Sequence, residues 1–271
     1  AWVNASSFAI TNSDAKSTYE VFDHHDVHWE NSAVFNATGN RFETVGLATN
    51  TYGAIAFHFS DLVLRSASHV ILAKNVFAVT TLGTQRAMPI RADNEFTVAD
   101  GSAIRLEGNA FFATSKESDT FVFVAYGSRI SFASGGAFFF ENNVLNVTSL
   151  KEGYACAISF SSNRMSEAST FFVRNNSVVA TVPGQTDSRA ALVRLYDNHW
   201  GDNSQIEIVG NSFTGSSGNT VRAIFLDFDE KEELPNNVNS HLRVSENRLV
   251  GSSGTHFSSA IHIDRMNSSE R

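Results

Sequence analysis

The chain has 271 residues, of which 42% are hydrophobic and only 18% charged, with a formal net charge of −8. So large an apolar share excludes a disordered chain, and a charged share below the globular average of about 25% leaves little for the solvated faces of long helices. The acidic balance excludes nucleic acid as a general partner, no apolar run approaches the roughly 18 residues of a membrane span, and the single Cys156 excludes an intrachain disulfide.

Residues 19–22 read as a weak first copy of a repeat that sharpens further along. Directly after them stands the densest polar cluster, Asp23-His24-His25-Asp26-Val27-His28-Trp29-Glu30. As strand and turn it puts His24, Asp26 and His28 on one side, a set that would need a further ligand to hold a metal. The related Asp197-Asn198-His199-Trp200 stands at the matching point several repeats later, which favours a structural turn, and no metal or other cofactor is assigned.

From residues 33–42, a loose copy carrying Asn40, the phrase apolar-x-apolar-x-x-Asn-x-apolar recurs six times. Its asparagines are Asn75, Asn109, Asn143, Asn176, Asn211 and Asn247, and from Asn40 the steps are 35, 34, 34, 33, 35 and 36 residues. A second phrase keeps the same period: Ala54-Ile55-x-Phe57, Ala87-Met88-x-Ile90, Val122-x-Val124, Ala155-Cys156-x-Ile158, Ala191-x-Val193, Ala223-Ile224-x-Leu226 and Ala260-Ile261-x-Ile263. A third alternating segment follows each asparagine, as in Phe77-x-Val79 and Phe111-x-Ala113. Alternation with period 2 means strands, and a fixed repeat of this length means a solenoid.

The predicted fold is all-β: a right-handed parallel β-helix of about eight rungs of 33–36 residues, each with three short strands. Inward residues stack on their copies one rung away, at about 4.8 Å. Asparagine suits the tight turn because it tolerates left-handed backbone and its amide can bond the amides above and below. Residues 1–271 read as one β-helix domain, expected to be a fragment of a longer chain because the repeats run close to the C-terminus without an evident cap.

The asparagine series resembles the ladder of pectate-lyase-type right-handed β-helix proteins. The phrases FFVRNNSVVATV (171–182) and IEIVGNSFTGSSG (206–218) are similar to repeats in the dispersed-gene-family surface proteins of trypanosomatids. The first resemblance implies the fold, and implies that any catalytic or binding residues lie on the outer face of the first strand. The second implies a cell-surface or secreted glycoprotein with an adhesive role.

Strict alternation predicts an outward apolar column, Ala56, Pro89, Phe123, Ala157, Leu192 and Phe225, ending in His262. Beside it runs a polar column with His58, Arg91, Ala125, Ser159, Arg194, Asp227 and Asp264. Arg91 and Arg194 are candidates for an acidic sugar chain, Asp227 and Asp264 for an acid–base pair, and Phe123 and Phe225 for a face covered by a partner chain. The acidic stretch 227–235 reads as a solvated loop. Five sequons, at Asn4, Asn36, Asn146, Asn175 and Asn267, are candidate glycosylation sites. Strings typical of polygalacturonases, such as Asn-Thr-Asp and Gly-His-Gly, are absent, as is the Arg-x-Pro-x-x-Arg of pectate lyases, so no catalytic residue is assigned. The reading is a non-enzymatic extracellular or cell-surface structural and adhesive protein, with other chains or carbohydrate as partners. A polysaccharide lyase or glycoside hydrolase acting on an acidic polymer is the alternative.

Overall fold

Alternating strands that repeat at constant spacing bury their apolar faces only against their own copies, and the chain stacks them in this way. The computed structural model describes residues 2–4, 7–11, 13–47, 53–165, 168–184, 186–228, 239–255 and 258–264. They form three parallel sheets of nine, eight and eight strands, with no helix among the described residues. One turn illustrates all: Ala103–Glu107 joins the second sheet, Ala110–Ser115 the third, and Thr120–Phe132 the first. The expected β-solenoid is therefore present. Strands of the first sheet are longer than expected, reaching 13 residues, and bend at left-handed residues such as Asp61 (φ 54°) and Asn94 (φ 60°).

About six turns are regular, slightly fewer than the eight expected. In these, like residues meet rung to rung, as where Phe77 lies opposite Phe42 and Phe111, the latter stacked at 4.7 Å. The flanking turns, with Ile10 and Phe22 on one side and Leu242 and Leu249 on the other, are only partly buried.

The asparagines form the expected ladder from Asn40 through Asn75, Asn109, Asn143, Asn176 and Asn211 to Asn247. Each amide is used in full. Asn109 donates from its backbone N and from Nδ2 to Asn143 Oδ1 at 2.9 and 3.1 Å, and from Nδ2 also to Leu72 O at 2.8 Å. Its Oδ1 accepts both corresponding bonds from Asn75. The expectation of left-handed backbone at the asparagine itself is corrected. The positive φ falls one residue earlier, at Gly39, Lys74, Gly108, Asn142, Asn175, Gly210 and Glu246. The asparagine can then turn inward while its neighbour makes the corner.

A second ladder went unread in the sequence. Ser68, Ser102, Ser169, Ser204 and Ser240, with Gly136 in series, stand seven residues before successive asparagines and line the corner between the first and second sheets. Ser68 N donates to Ser102 Oγ at 3.0 Å. Gly136 fits because a Cβ there would lie 1.9 Å from Val98 O.

Replacing Asn109 by Leu leaves Asn75 donors and the Asn143 and Leu72 acceptors buried without partners. We expect urea unfolding to register a loss of about 3 kcal/mol or more. Lys74→Gly, at a left-handed corner where glycine is unstrained, should stay within about 1 kcal/mol of the parent.

Candidate functional site

The outer face of the first sheet is set by a break in alternation. In the strand Ala54–Leu64, Ala54, Ala56, Phe57 and Phe59 all enter the central core, so two consecutive residues point inward at the corner. The expected apolar outer column is therefore wrong. Ala56, Ala157, Leu192 and Phe123 belong to the core; Phe123 is 1% exposed and stacked on Phe160 at 5.2 Å. The partner-chain cover inferred for Phe123 is not needed. Phe225 alone of the two rings points outward, 8% exposed, beneath the Arg222 guanidinium at 5.0 Å and beside the His262 ring.

The polar column also shifts. In register it runs Asp23, His58, Arg91, Val124, Ser159, Arg194, Phe225, His262. Ala125 is core, and Asp227 and Asp264 lie opposite each other one column further on. Asp227 is only 4% exposed, too enclosed for a carboxylate that must reach a glycosidic oxygen. The Asp264 side chain lies outside the described set, as do residues 229–238 of the acidic stretch.

Two polar groups among the described residues of this face gather aromatic rings and charges together. The first centres on His58, 8% exposed, which joins three strands. Its Nε2 meets Asp93 Oδ1 at 3.0 Å, while Nδ1 lies 3.2 Å from both Glu20 Oε1 and Asp23 Oδ1. His25 Nε2 is 2.9 Å from the same Asp23 oxygen, and Arg91 binds the other oxygen of Asp93. Burial by itself pushes the imidazole pKa down, but the close carboxylates of Asp93 and Glu20 outweigh it and carry His58 up to about 9. Burial likewise opposes ionisation of Asp93, and His58 with Arg91 overcomes it, holding the carboxyl below its usual range. Donor atoms of Asp23, His25 and His58 lie within 4.8 Å of one another, a grouping able to hold a metal ion. The sequence had suggested His24, Asp26 and His28. The left-handed Asp26 (φ 49°) bends the strand after His25, and the His24 side chain is outside the described set.

The second group lies some two rungs away, beyond the apolar outward residues Phe121, Val124 and Cys156. Two guanidinium groups of the next strand approach the Tyr154 ring, Arg194 at 4.9 Å and Arg189 at 5.5 Å from its centre, and Phe121 of the preceding strand stacks on it at 6.0 Å. Arg194 also lies 5.1 Å from the exposed Tyr196 ring and reaches Ser159 Oγ at 3.3 Å. With Arg222 and Phe225 these side chains line a notch. Among the described residues, neither Arg189 nor Arg194 has a carboxylate partner. Cys156 beneath is buried, and burial pushes its thiol up to about 12, so it is no nucleophile.

Elsewhere, Asp26 to Trp29 and Asp197 to Trp200 do occupy matching positions, Trp29 buried at its rung. Of the sequons, Asn36, Asn146 and Asn175 lie on the second sheet, the third sheet and the turn between them, the last two exposed. Asn4 is on a first-sheet strand with its side chain outside the described set, and Asn267 is outside it altogether.

Two measurements check this register and charge arrangement. Phe123→Ala should cost about 3–5 kcal/mol, whereas Phe112→Ala, at an exposed ring, should cost less than about 0.5 kcal/mol. Because the folded state raises the His58 pKa from 6.5 to about 9, its stabilisation is complete below pH 6.5 and is lost as pH rises through 9. In chelator-containing buffer, unfolding free energy should fall by on the order of 2–3 kcal/mol over that window, and His58→Gln should flatten the profile.

No protein-family model, curated protein or solved structure matches the chain. What the protein does must be argued from this face.

Proposed function

We propose that the protein is a non-enzymatic structural and adhesive β-solenoid of the cell surface or extracellular space, gripping an acidic polysaccharide on its first-sheet face. One observation carries this reading. In a chain of net charge −8, Arg189 and Arg194 gather at Tyr154 without a carboxylate partner among the described residues. Guanidinium groups match sugar carboxylates and sulfates with paired donors, and the exposed Tyr196 ring beside Arg194 offers a stacking surface for the apolar face of a sugar. The resemblance of the asparagine ladder to pectate-lyase-type β-helices and of two phrases to trypanosomatid surface proteins supports the same setting. So do the sequons at Asn36, Asn146 and Asn175, which keep any glycans there off this sheet.

The enzymatic alternative is weaker. A lyase or glycosidase needs an accessible acid or base beside its anion-binding arginines, and Asp227, the nearest candidate in the sequence reading, is enclosed.

Affinity electrophoresis in gels containing polygalacturonate, hyaluronate or neutral dextran tests the proposal. The parent should be retarded by at least one acidic polymer and not by dextran. Arg194→Ala and Tyr154→Ala should each weaken retention about tenfold or more, and no new reducing ends or unsaturated uronates should form. Equal retention by dextran, or cleavage of a polymer, overturns the reading.

A further inference from the structure

We propose that Glu20, Asp23, His25 and His58 form a binding site for a divalent transition metal of the zinc class, which fastens the strand Glu20–Glu30 to its neighbour Ala54–Leu64. The inference does not rest on the polysaccharide reading, since these residues lie outside the Tyr154 notch.

Register makes the site. Asp23 and His25, two apart on one strand, face the same way, and Asp23 lies directly opposite His58 on the next. Glu20 approaches from the adjacent outward position. The four donor atoms would be Glu20 Oε1, Asp23 Oδ1, His25 Nε2 and His58 Nδ1. Three of their separations are 2.9, 3.2 and 3.2 Å. A tetrahedral ion with bonds of about 2.0–2.1 Å has ligand–ligand edges of about 3.3–3.4 Å, so these three edges need to change only by tenths of an ångström. Asp23, His25 and His58 already lie within 4.8 Å of one another, and Glu20 would complete the set by a side-chain movement. The two imidazoles stand nearly perpendicular, at 80°, with ring centres 5.2 Å apart.

Two further features distinguish the group from an ordinary ion-pair cluster. His58 Nδ1 and Glu20 Oε1 are buried and 3.2 Å apart, yet neither is aligned in a hydrogen bond, and the side chain carrying that nitrogen is only 11% exposed. On the far side of the ring, Nε2 meets Asp93, whose second oxygen is held by Arg91. A carboxylate behind a ligating histidine fixes the tautomer that leaves the other nitrogen as a donor to metal. The donor set, two imidazoles and two carboxylates with no thiolate, suits zinc and its neighbours in the first transition row. Binding would join the partly buried turn that contains Phe22 to the first of the fully buried turns.

The test uses the whole chain, stripped with chelator and titrated with zinc chloride. We expect one zinc per chain with micromolar or tighter dissociation, a melting temperature that climbs with zinc concentration, and a tetrahedral visible spectrum when cobalt(II) replaces zinc. Asp23→Asn and His25→Ala, at the two more exposed ligands, should leave the metal-free melting temperature nearly unchanged while weakening zinc at least tenfold. Asp93→Asn, acting through His58, should weaken it about 10–100-fold. His241→Ala, far along the stack, should change nothing. The proposal is overturned by dissociation in the millimolar range, by zinc binding that survives both Asp23→Asn and His25→Ala, by an octahedral cobalt spectrum, or by a response to calcium in place of zinc.

Discussion

Everything in this molecule depends on the need to satisfy one buried amide per turn. An asparagine side chain sealed inside a coil has two donors and an acceptor that water cannot reach, and leaving any of them unmet costs about 1–3 kcal/mol. The only partners available at the corner are the same side chain one rung away and the backbone carbonyl beside it. Both are used at every interior step, as Asn109 illustrates with its bonds to Asn75, Asn143 and Leu72. Such a chain of amides tolerates no drift in rung height, and the flat 33–36-residue spacing follows from it. The apolar columns, the serine corner and the parallel register are consequences of that fixed spacing.

This is also why so much of the fold could be read in advance. The asparagine series, the strands beside it and the absence of helix all follow from columns that repeat one residue type. The serine series was equally regular, offset by seven residues, but serine in Gly- and Ser-rich connections carries no contrast and was passed over as loop. The failure on the first sheet has a different cause. Alternation predicts facing only while the backbone stays pleated, and the corner at Ala56 and Phe57 turns two successive side chains inward. Counting through that corner placed Phe123 outside and made an interface of what is core. The same slip put Ala125 and Asp227 in a column that belongs to Val124 and Phe225. His25 and Asp23 were within the segment singled out for its polarity, but their meeting with His58 depends on a register between residues 35 apart, which no local pattern encodes.

Outward chemistry on a solenoid is written column by column, and function is to be sought where a column changes its residue type. The column through His58 does so twice before it reaches Phe225. It is ionic at Asp23, His58 and Arg91, apolar at Val124, and polar again at Ser159 and Arg194. Val124 packs with Ile55, Met88, Phe121, Cys156 and Ala191 in a small outer cluster separate from the main core. This apolar saddle holds the two groups apart. The carboxylates around His58 are satisfied locally and cannot reach the arginines beyond it, which is how an acidic protein keeps a positive notch.

The two groups differ in what they ask of a ligand. Around His58, opposite charges already lie in contact, with Glu20, Asp23 and Asp93 all within 3.2 Å of the ring nitrogens. Around Tyr154, the cations lie over ring faces, an interaction worth about 0.5–1 kcal/mol at an exposed site and leaving the guanidinium donors able to take an anion as well. Rigid spacing then matters in a second way. Arg189 and Arg194 lie on one strand, Arg189–Trp200, opposite Tyr154 and Ser159 of the strand before it, so both guanidinium groups are held at positions that a polymer can meet without either side rearranging. Pre-organisation of this kind converts the stiffness demanded by the buried amides into affinity at the surface.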